Sequence, residues 1–291
     1  MTAVTEKRWL QQHGVRPRRR WGQHFLIRPT VAARLLERWA LPSGTRLLEI
    51  GPGAGALTLP LLAAGCRVLA VERDGRLCDL LRARVAAQAP GAHLELIEAD
   101  ILECDPGAPP LALPRRGATP LIGNLPYAVT SPILEWTVRH RRQFRWASFM
   151  VQREYAERLQ AAPGTRDYGS LTVWIGYHFS VARELRVGPE QFWPRPRVDS
   201  EVVRLRPHRR PPVRVPSPAA LQRVLRAAFG QRRKMMVGAL ASGLRLPRER
   251  ILEALERARI DPRQRAETCD LRRFAALTRA LHGADAFPGV R

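Results

Sequence analysis

Four short apolar runs, separated by segments of helix length, constrain the fold of this 291-residue chain more than any other feature. The runs are TRLLEI (45–50), RVLAVE (67–72), LELIE (94–98) and PLIGN (120–124). The segments 56–65 and 75–87, which separate the first three runs, are long enough for crossover helices. Because strands that alternate with helices form βαβ units, the pattern predicts a doubly wound α/β domain, with a parallel sheet and helices on both faces.

Several further segments have the periodicity of a single element. Apolar residues recur at helical spacing in TVAARLLERWA (30–40), which predicts a short amphipathic helix. Beyond the fourth apolar run, we predict helices over 131–140, 152–160 and 169–179, and strands over 146–151 and 198–207.

The end of the chain has a different composition. RPHRRPPVRVPSP (206–218) is rich in Pro and Arg and has no apolar period, so it is typical of a stiff linker. Three helical patterns follow, over 219–242, 248–260 and 269–282. We therefore predict a basic arm over 1–20, the α/β domain over 21–207, a linker over 208–218 and a small all-helical domain over 219–291.

The charge of the chain indicates a polyanionic partner. There are 49 basic and 26 acidic residues, and the formal net charge is +23. A field of this sign attracts nucleic acid, although an acidic membrane surface or solubility alone are alternatives. The first 20 residues end in VRPRRR and show no apolar period, so we expect an arm that stays flexible until a polyanion orders it, or a merely solvated tail.

The cysteine spacing and the hydropathy of the chain argue against a metal-binding protein, a secreted protein and a membrane protein. The four cysteines form no CxxC pair and no spacing that would gather metal ligands, so we expect no metal site. Free thiols fit a reducing compartment, and we expect a cytoplasmic protein. No apolar stretch has the length of a signal peptide or a membrane span, so we predict neither.

A glycine-rich loop follows the first predicted strand. In LLEIGPGAGALT (47–58), Gly51, Gly53 and Gly55 allow a sharp turn and a close approach of the backbone to a ligand. Together with Ala56 the loop also satisfies the dinucleotide pattern, so NAD or FAD remains an alternative on the loop alone. Glu72 ends the second strand about 20 residues after Gly51, where a carboxylate accepts hydrogen bonds from ribose hydroxyls in either class.

Two more carboxylates favour a different cofactor. Glu49 stands two residues before Gly51, and the string from Glu49 to Gly55 resembles motif I of methyltransferases that use S-adenosylmethionine. Asp100 follows the third strand, where it is placed to meet the exocyclic amine of the cofactor's adenine.

The tetrapeptide Asn124-Leu125-Pro126-Tyr127 follows the fourth strand and suits the methylation of an amine. The exocyclic amine of adenine is a poor nucleophile, since its lone pair is delocalised into the ring. The Asn124 side-chain oxygen and an adjacent backbone carbonyl can accept hydrogen bonds from the two N–H groups of this amine. These hydrogen bonds favour a tetrahedral nitrogen. Pro126 stiffens the loop, and Tyr127 offers a face on which an unstacked base can lie, worth about 1–3 kcal/mol.

The motifs together resemble those of one enzyme family. GQHFL (22–26), EIGPGAGALT (49–58), IGNLPY (122–127), MVQREYAERL (150–159), YGSLTV (168–173), FWPRPRVDSEVVRL (192–205) and AFGQRRKMM (228–236) occur in the order seen in the rRNA adenine dimethyltransferases. FGQRRK (229–234) and IDPRQRAE (260–267) are similar to the housekeeping small-subunit dimethyladenosine transferases of the KsgA type.

This resemblance implies a Rossmann-like class I methyltransferase fold with S-adenosylmethionine as cofactor. It implies N6,N6-dimethylation of two adjacent adenines near the 3′ end of small-subunit (16S) rRNA, and a role in small-subunit biogenesis. The partner would be the immature small ribosomal subunit, and we expect the enzyme to be a monomer. Large-subunit methyltransferases of the macrolide-resistance type, a non-catalytic assembly factor on the same fold and an NAD-dependent oxidoreductase are the alternatives.

The candidate site residues fall into three groups. The predicted cofactor-binding residues are His24, Leu26, Glu49, Gly51, Gly53, Gly55, Glu72, Asp100 and Asn124. The predicted catalytic residues are Asn124, Leu125, Pro126 and Tyr127, with Phe192 implied as a second aromatic near the target base. RNA phosphates are expected to meet Arg18, Arg19, Arg20, Arg232, Arg233 and Lys234. One residue departs from the family pattern, since His24 stands where the family usually has Asn.

Overall fold

The computed structural model describes residues 3–18, 22–114, 117–231 and 234–282. The chain divides into two compact units, the first formed by 1–156 and 182–207 and the second by 157–181 and 208–291. This division differs from the boundaries predicted from sequence, because the segment 157–181 lies between two parts of the first unit along the chain but packs in the second.

The strands are β1 (Phe25–Leu26), β2 (Arg46–Ile50), β3 (Arg67–Glu72), β4 (Leu94–Glu98), β5 (Thr119–Asn124), β6 (Phe144–Gln152), β7 (Phe179–Val187), β8 (Phe192–Trp193) and β9 (Ser200–Pro207). The helices are α1 (Ala3–Gln12), α2 (Pro29–Trp39), α3 (Thr58–Ala63), α4 (Gly75–Gln88), α5 (Thr130–Arg139), α6 (Arg153–Leu159), α7 (Ser170–His178), α8 (Pro218–Phe229), α9 (Met236–Leu244), α10 (Arg248–Arg257) and α11 (Leu271–His282).

Seven strands form one sheet in the order β4-β3-β2-β5-β6-β9-β7, and β1 pairs with β8 in a separate two-stranded ribbon. β2 pairs in parallel with both β3 and β5, while β3–β4 and β5–β6 are also parallel. Five of the six residues of β3 are buried, as expected of a strand covered on both faces. The predicted doubly wound α/β fold is confirmed.

The sheet is mixed rather than purely parallel, because β9 runs antiparallel to β6. The connection between β7 and β9 holds only a three-residue 3-10 helix (Pro189–Gln191) and the short β8, and an antiparallel strand needs no crossover helix. Sequence analysis also missed β7. Its apolar residues at 179, 181, 185 and 187 alternate, but Arg183 interrupts the series and instead bonds Glu201 on β9.

The prediction of a flexible arm over residues 1–20 is wrong for the described part. Residues 3–12 form α1, and the Leu10 side chain is fully buried against a cluster that includes Phe25 and Ala54. The Glu6 carboxylate and the Arg84 guanidinium form a buried ion pair at 2.7 Å. One buried leucine and one buried glutamate produce no apolar period, so the sequence pattern does not reveal this packing.

The second unit is helical. α8 begins after the N-cap Ser217, whose hydroxyl accepts the Ala220 N–H, and a cluster that includes Leu221, Leu240 and Phe274 forms the core. The first predicted helical pattern, over 219–242, is divided into α8 and α9. Part of the predicted linker packs on the same core, through Val213 and Val215. No helix within the described ranges combines the length and the hydropathy that a membrane span requires.

Candidate active site

The site lies at the carboxyl ends of the parallel strands. The chain runs outward from β2 to β3 and β4, then returns to place β5 on the other side of β2. Ligands of open α/β sheets bind outside the strand ends at such a switch point. The structure brings Gly51, Glu72, Asp100 and Asn124 there, because each stands within two residues of the end of one of these four strands.

Two adjoining cavities occupy this edge of the sheet. The first, here called the loop cavity, is lined by the glycine loop, by 22–26 and 124–127, and by Glu6 and Leu10 of α1. The second cavity is lined by the ends of β2 and β3, by 99–102 and by Ile133. Gln23, Gly51, Glu72 and Pro126 line both cavities.

The glycine loop has a backbone that other residues adopt rarely. The φ angles of Gly51, Gly53 and Gly55 are 65°, 57° and 90°. Gly55 also lacks room for a side chain, because a Cβ there would lie 2.7 Å from Leu81 Cδ1 on α4. The glycines thus serve both the turn and the close packing of the loop on the helix behind it.

The Glu72 carboxylate holds the base of the loop. One carboxylate oxygen accepts the Gly53 N–H at 3.1 Å, and the other accepts the N–H groups of Arg73 and Asp74 at 2.8 and 3.0 Å. Burial raises the pKa of Glu72, whereas these three hydrogen bonds lower it. Since the side chain also lines both cavities, its remaining lone pairs are placed for a ligand with hydroxyl groups.

Glu49 lies deeper in the loop cavity. It is 1% exposed, and the Thr58 hydroxyl donates a 2.7 Å hydrogen bond to its carboxylate. Burial raises the pKa of Glu49 to about 7; the Thr58 bond opposes this shift and the charge of Glu72 adds to it. The carboxyl group is therefore a proton-binding site near neutral pH.

We expect Glu49→Gln to remove a pH dependence of stability. Since the pKa of Glu49 is higher in the folded chain than in the unfolded chain, the folded state binds more protons between its ordinary value and about 7. The free energy of unfolding of the parent therefore falls as the pH rises through this window, by on the order of 3 kcal/mol relative to the Gln variant. Thermal unfolding of both proteins from about pH 5 to about pH 8 measures this difference. Parallel curves would contradict the assignment.

Asp100 lies at the rim of the second cavity. Its carboxylate accepts the Leu102 N–H at 3.0 Å and pairs with Arg73 at 3.3 Å. The walls beside it are apolar and include Val71, Ile101 and Ile133. An apolar cavity with a carboxylate in its lining suits an aromatic heterocycle that carries an amino group.

Asn124 ends β5 beside the loop cavity. Its Nδ2 donates a 3.0 Å hydrogen bond to the backbone carbonyl of His24, which fixes the orientation of the amide. Within the described ranges no residue donates to the amide oxygen. That oxygen is therefore the acceptor that Asn124 presents. The contact uses the backbone of residue 24, so it does not depend on His standing there in place of Asn.

The rest of the tetrapeptide is held rigidly. The Leu125 N–H donates to the Met150 carbonyl at 3.1 Å, and the Pro126 carbonyl accepts the Val129 N–H at 3.1 Å. The Tyr127 hydroxyl bonds the Ser200 hydroxyl at 2.8 Å, and burial raises its pKa while this bond lowers it. The Tyr127 ring lies 5.1 Å from the ring of His24, which gives the His24 side chain a packing contact.

Phe192 is not among the residues that line the two cavities. It pairs with Leu26 across β1 and β8, is 3% exposed and packs in the core of the first unit. Leu26 shares this core but does line the loop cavity. The structure therefore brings the other predicted catalytic residues together and leaves the Phe192 ring behind the cavity wall.

Sequence analysis missed Gln23, which lines both cavities and accepts the Arg18 N–H through its side-chain oxygen at 2.8 Å. Its only signal was its place in GQHFL. The same analysis missed the apolar walls of the second cavity, of which Ile101, directly after Asp100, could have been found from the pattern.

The basic candidates are only partly described. Arg18 pairs with the buried Asp74, the N-cap of α4, at 3.3 Å, so it is held against the first unit. Lys234 is exposed. Arg19, Arg20, Arg232 and Arg233 lie outside the described residues. Among the residues that are described, no cluster of His, Cys, Asp and Glu could hold a metal ion.

The chain is similar to known proteins over most of its length. A family model described as "Ribosomal RNA adenine dimethylase" matches residues 14–282. A protein of Magnetococcus marinus named "Ribosomal RNA small subunit methyltransferase A" is 41% identical over 268 residues, covering 92% of this chain and 93% of that protein. A protein of the same name from Thermosynechococcus vestitus is 39% identical, covering 92% and 97%.

Two solved structures share the fold. A dimethyladenosine transferase from Plasmodium falciparum has a TM-score of 0.73 at 24% identity, with 90% of this chain and 98% of that chain covered. The 23S rRNA methyltransferase ErmE has a TM-score of 0.64 at 26% identity, with 89% and 99% covered. The family model spans most of the chain, and with it the glycine loop, the three carboxylates and the tetrapeptide. The chain belongs to the ribosomal RNA adenine dimethylase family.

Proposed function

We propose that this enzyme dimethylates N6 of two adjacent adenines near the 3′ end of small-subunit (16S) rRNA, and that it contributes in this way to small-subunit biogenesis. The observation that carries the proposal is the orientation of the Asn124 amide. Its nitrogen donates a hydrogen bond to the His24 carbonyl, so the amide oxygen stays available beside the loop cavity. An amide oxygen at this place accepts an N–H of the target amine and orients its lone pair.

S-adenosylmethionine is the cofactor, and when bound it supplies an activated methyl group. The residues present fit it. The Glu72 carboxylate, at the junction of the two cavities, is placed to accept hydrogen bonds from ribose hydroxyls. Asp100 and the apolar walls of the second cavity suit the adenine ring, which leaves the loop cavity, with Gly51 and Asn124, for the methionine end.

Catalysis rests mainly on positioning. The Asn124 oxygen and an adjacent backbone carbonyl hold the two amine hydrogens, and the rigid Pro126 turn aims these acceptors. Tyr127, fixed by Ser200, offers its ring to the base that leaves the RNA stack. No general base is needed, because the methylated nitrogen is acidic enough to lose its proton to water. Phe192, whose ring is buried in the core of the first unit, is not part of this platform.

We expect the substitution of Arg232, Arg233 and Lys234 by Ala to weaken RNA binding and to flatten its salt dependence. Each lost phosphate contact lowers the log–log slope of affinity against salt by about 0.9 for a duplex. Filter binding to small-subunit RNA over a salt series measures the slope. Arg67→Ala is the matched control, since this exposed arginine stands at the amino end of β3, opposite the site. A slope equal to that of the parent would remove the segment from the interface.

The substrate separates this proposal from its alternatives. The relatives named for the small subunit support 16S rRNA, whereas the likeness to ErmE makes 23S rRNA the second candidate. Mapping N6,N6-dimethyladenosine in both rRNAs of a strain that lacks the gene distinguishes them, because only the true substrate loses the modification. An unchanged map in both rRNAs would favour a non-catalytic assembly factor.

The proposal also covers the substrate particle, the oligomeric state and the cellular compartment. We infer that the enzyme acts as a monomer in the cytoplasm on an immature small subunit rather than on naked rRNA. Methyl transfer to purified small-subunit particles and to protein-free 16S rRNA, side by side, tests the partner. Equal rates on the two substrates would remove the particle from the proposal.

A further inference from the structure

The N-terminal helix contacts the glycine loop through one buried arginine. The Arg84 guanidinium on α4 donates two hydrogen bonds to the Glu6 carboxylate on α1, each 2.7 Å long. The side chains of Arg84 and Glu6 are only 3% and 8% exposed. The guanidinium also lies 4.0 Å from the centre of the Trp9 ring, so α1 encloses it on two sides.

The same guanidinium reaches the loop itself. Arg84 Nη1 donates a 2.8 Å hydrogen bond to the carbonyl of Ala54, the residue between Gly53 and Gly55. The Gly53 N–H is held in turn by Glu72. A continuous series of hydrogen bonds therefore runs from Glu6 through Arg84 to the backbone of the loop and on to Glu72.

The location of the pair indicates more than a structural role. Burying two charges adds little net stability, since desolvation offsets their attraction. Glu6 and Leu10 line the loop cavity, so α1 forms part of its wall. The first unit holds a comparable buried pair, Glu184 with Arg204 at 2.6 Å, which lines neither cavity.

We propose that Glu6 and Arg84 are positioning residues for the cofactor. With Glu6 in place, Arg84 holds the Ala54 carbonyl and keeps the glycine loop in the conformation that binds the methionine end of the cofactor. Residues 3–12 thus belong to the cofactor site and are not an RNA-binding arm. This inference rests on S-adenosylmethionine as the cofactor.

The test compares Glu6→Gln with the matched control Glu184→Gln in the full-length protein. Binding of S-adenosylhomocysteine by calorimetry, binding of 16S rRNA and the midpoint of thermal unfolding are measured for both. Glu6→Gln removes the charge and one of the two acceptors of Arg84, so we expect the Kd for S-adenosylhomocysteine to rise about tenfold and the RNA affinity to stay near that of the parent. Glu184→Gln should lower the unfolding midpoint without changing either affinity.

Each outcome has one meaning. If the parent does not bind S-adenosylhomocysteine, the cofactor assignment itself is wrong. If the parent binds and Glu6→Gln binds equally well, only the positioning role is wrong. If Glu6→Gln and Glu184→Gln both lose affinity for S-adenosylhomocysteine in proportion to their loss of stability, the positioning role is likewise wrong. Should Glu6→Gln fail to fold, Glu6→Asp, which keeps the charge but shortens its reach, carries the same comparison.

Discussion

Asn124→Ala is expected to lower the single-turnover rate of methyl transfer by about a hundredfold or more, because it removes a preorganised acceptor from the reacting amine. RNA affinity should stay close to that of the parent, since phosphate contacts carry it. The measurement is single-turnover transfer to small-subunit particles, with RNA and cofactor binding determined for the same protein.

The Asn124→Ala variant needs a control for its loss of stability. Asn124 also bonds the His24 carbonyl, so its loss can loosen the 22–26 segment, and the thermal midpoint must be compared with that of the parent. Thr137→Ala is the control for stability. It removes a buried hydroxyl that is hydrogen-bonded within α5, so it should also lower the free energy of unfolding, but Thr137 lines neither cavity. A normal rate in Asn124→Ala would refute the mechanism proposed above.

Glu72→Gln is expected to raise the Kd for S-adenosylmethionine by about tenfold to a hundredfold, as hydrogen bonds to a charged group contribute about 1.5–3 kcal/mol. The retained oxygen of the amide can still accept the N–H groups of Arg73 and Asp74. The new NH2 group then faces the Gly53 N–H, which loses its acceptor. The ribose contact and the support of the glycine loop should therefore weaken together. Isothermal calorimetry measures the effect.

Glu98→Gln is the control for this second experiment. Glu98 on β4 lies opposite Glu72 on β3, yet it is exposed and lines neither cavity. Its substitution should leave cofactor affinity unchanged. Equal affinities for the parent and Glu72→Gln would remove Glu72 from the cofactor site.

Much of the first unit could be predicted because its signals are local. The runs that became β2, β3, β4 and β5 were identified within a residue of their observed bounds. Of these, β2, β3 and β5 are buried along nearly their whole length, and a strand buried on both faces is almost continuously apolar. Their order along the chain, with helices between them, determines a doubly wound sheet. In such a sheet the residues after each strand meet at one edge. The convergence of the glycine loop, Glu72, Asp100 and Asn124 therefore follows from the sequence.

Other features depend on contacts between residues distant along the chain. The arm over 1–20 showed only a charge pattern, whereas Glu6 finds its partner at Arg84 and Leu10 packs beside Ala54. Phe192 stands in a motif next to Trp193, and only the pairing of β1 with β8 decides that its ring enters the core. Nor does any local pattern reveal that β9 inserts antiparallel beside β6.

The sequence by itself determined the family and located the glycine loop and the tetrapeptide 124–127, because short motifs and apolar periods are properties of neighbouring residues. The tertiary structure alone decided how the Asn124 amide is oriented, since its nitrogen bonds a carbonyl 100 residues earlier in the chain. It also decided that α1 forms a wall of the loop cavity. The physical reason is the same in both cases: a hydrogen bond or a buried ion pair forms only when folding brings its two partners together.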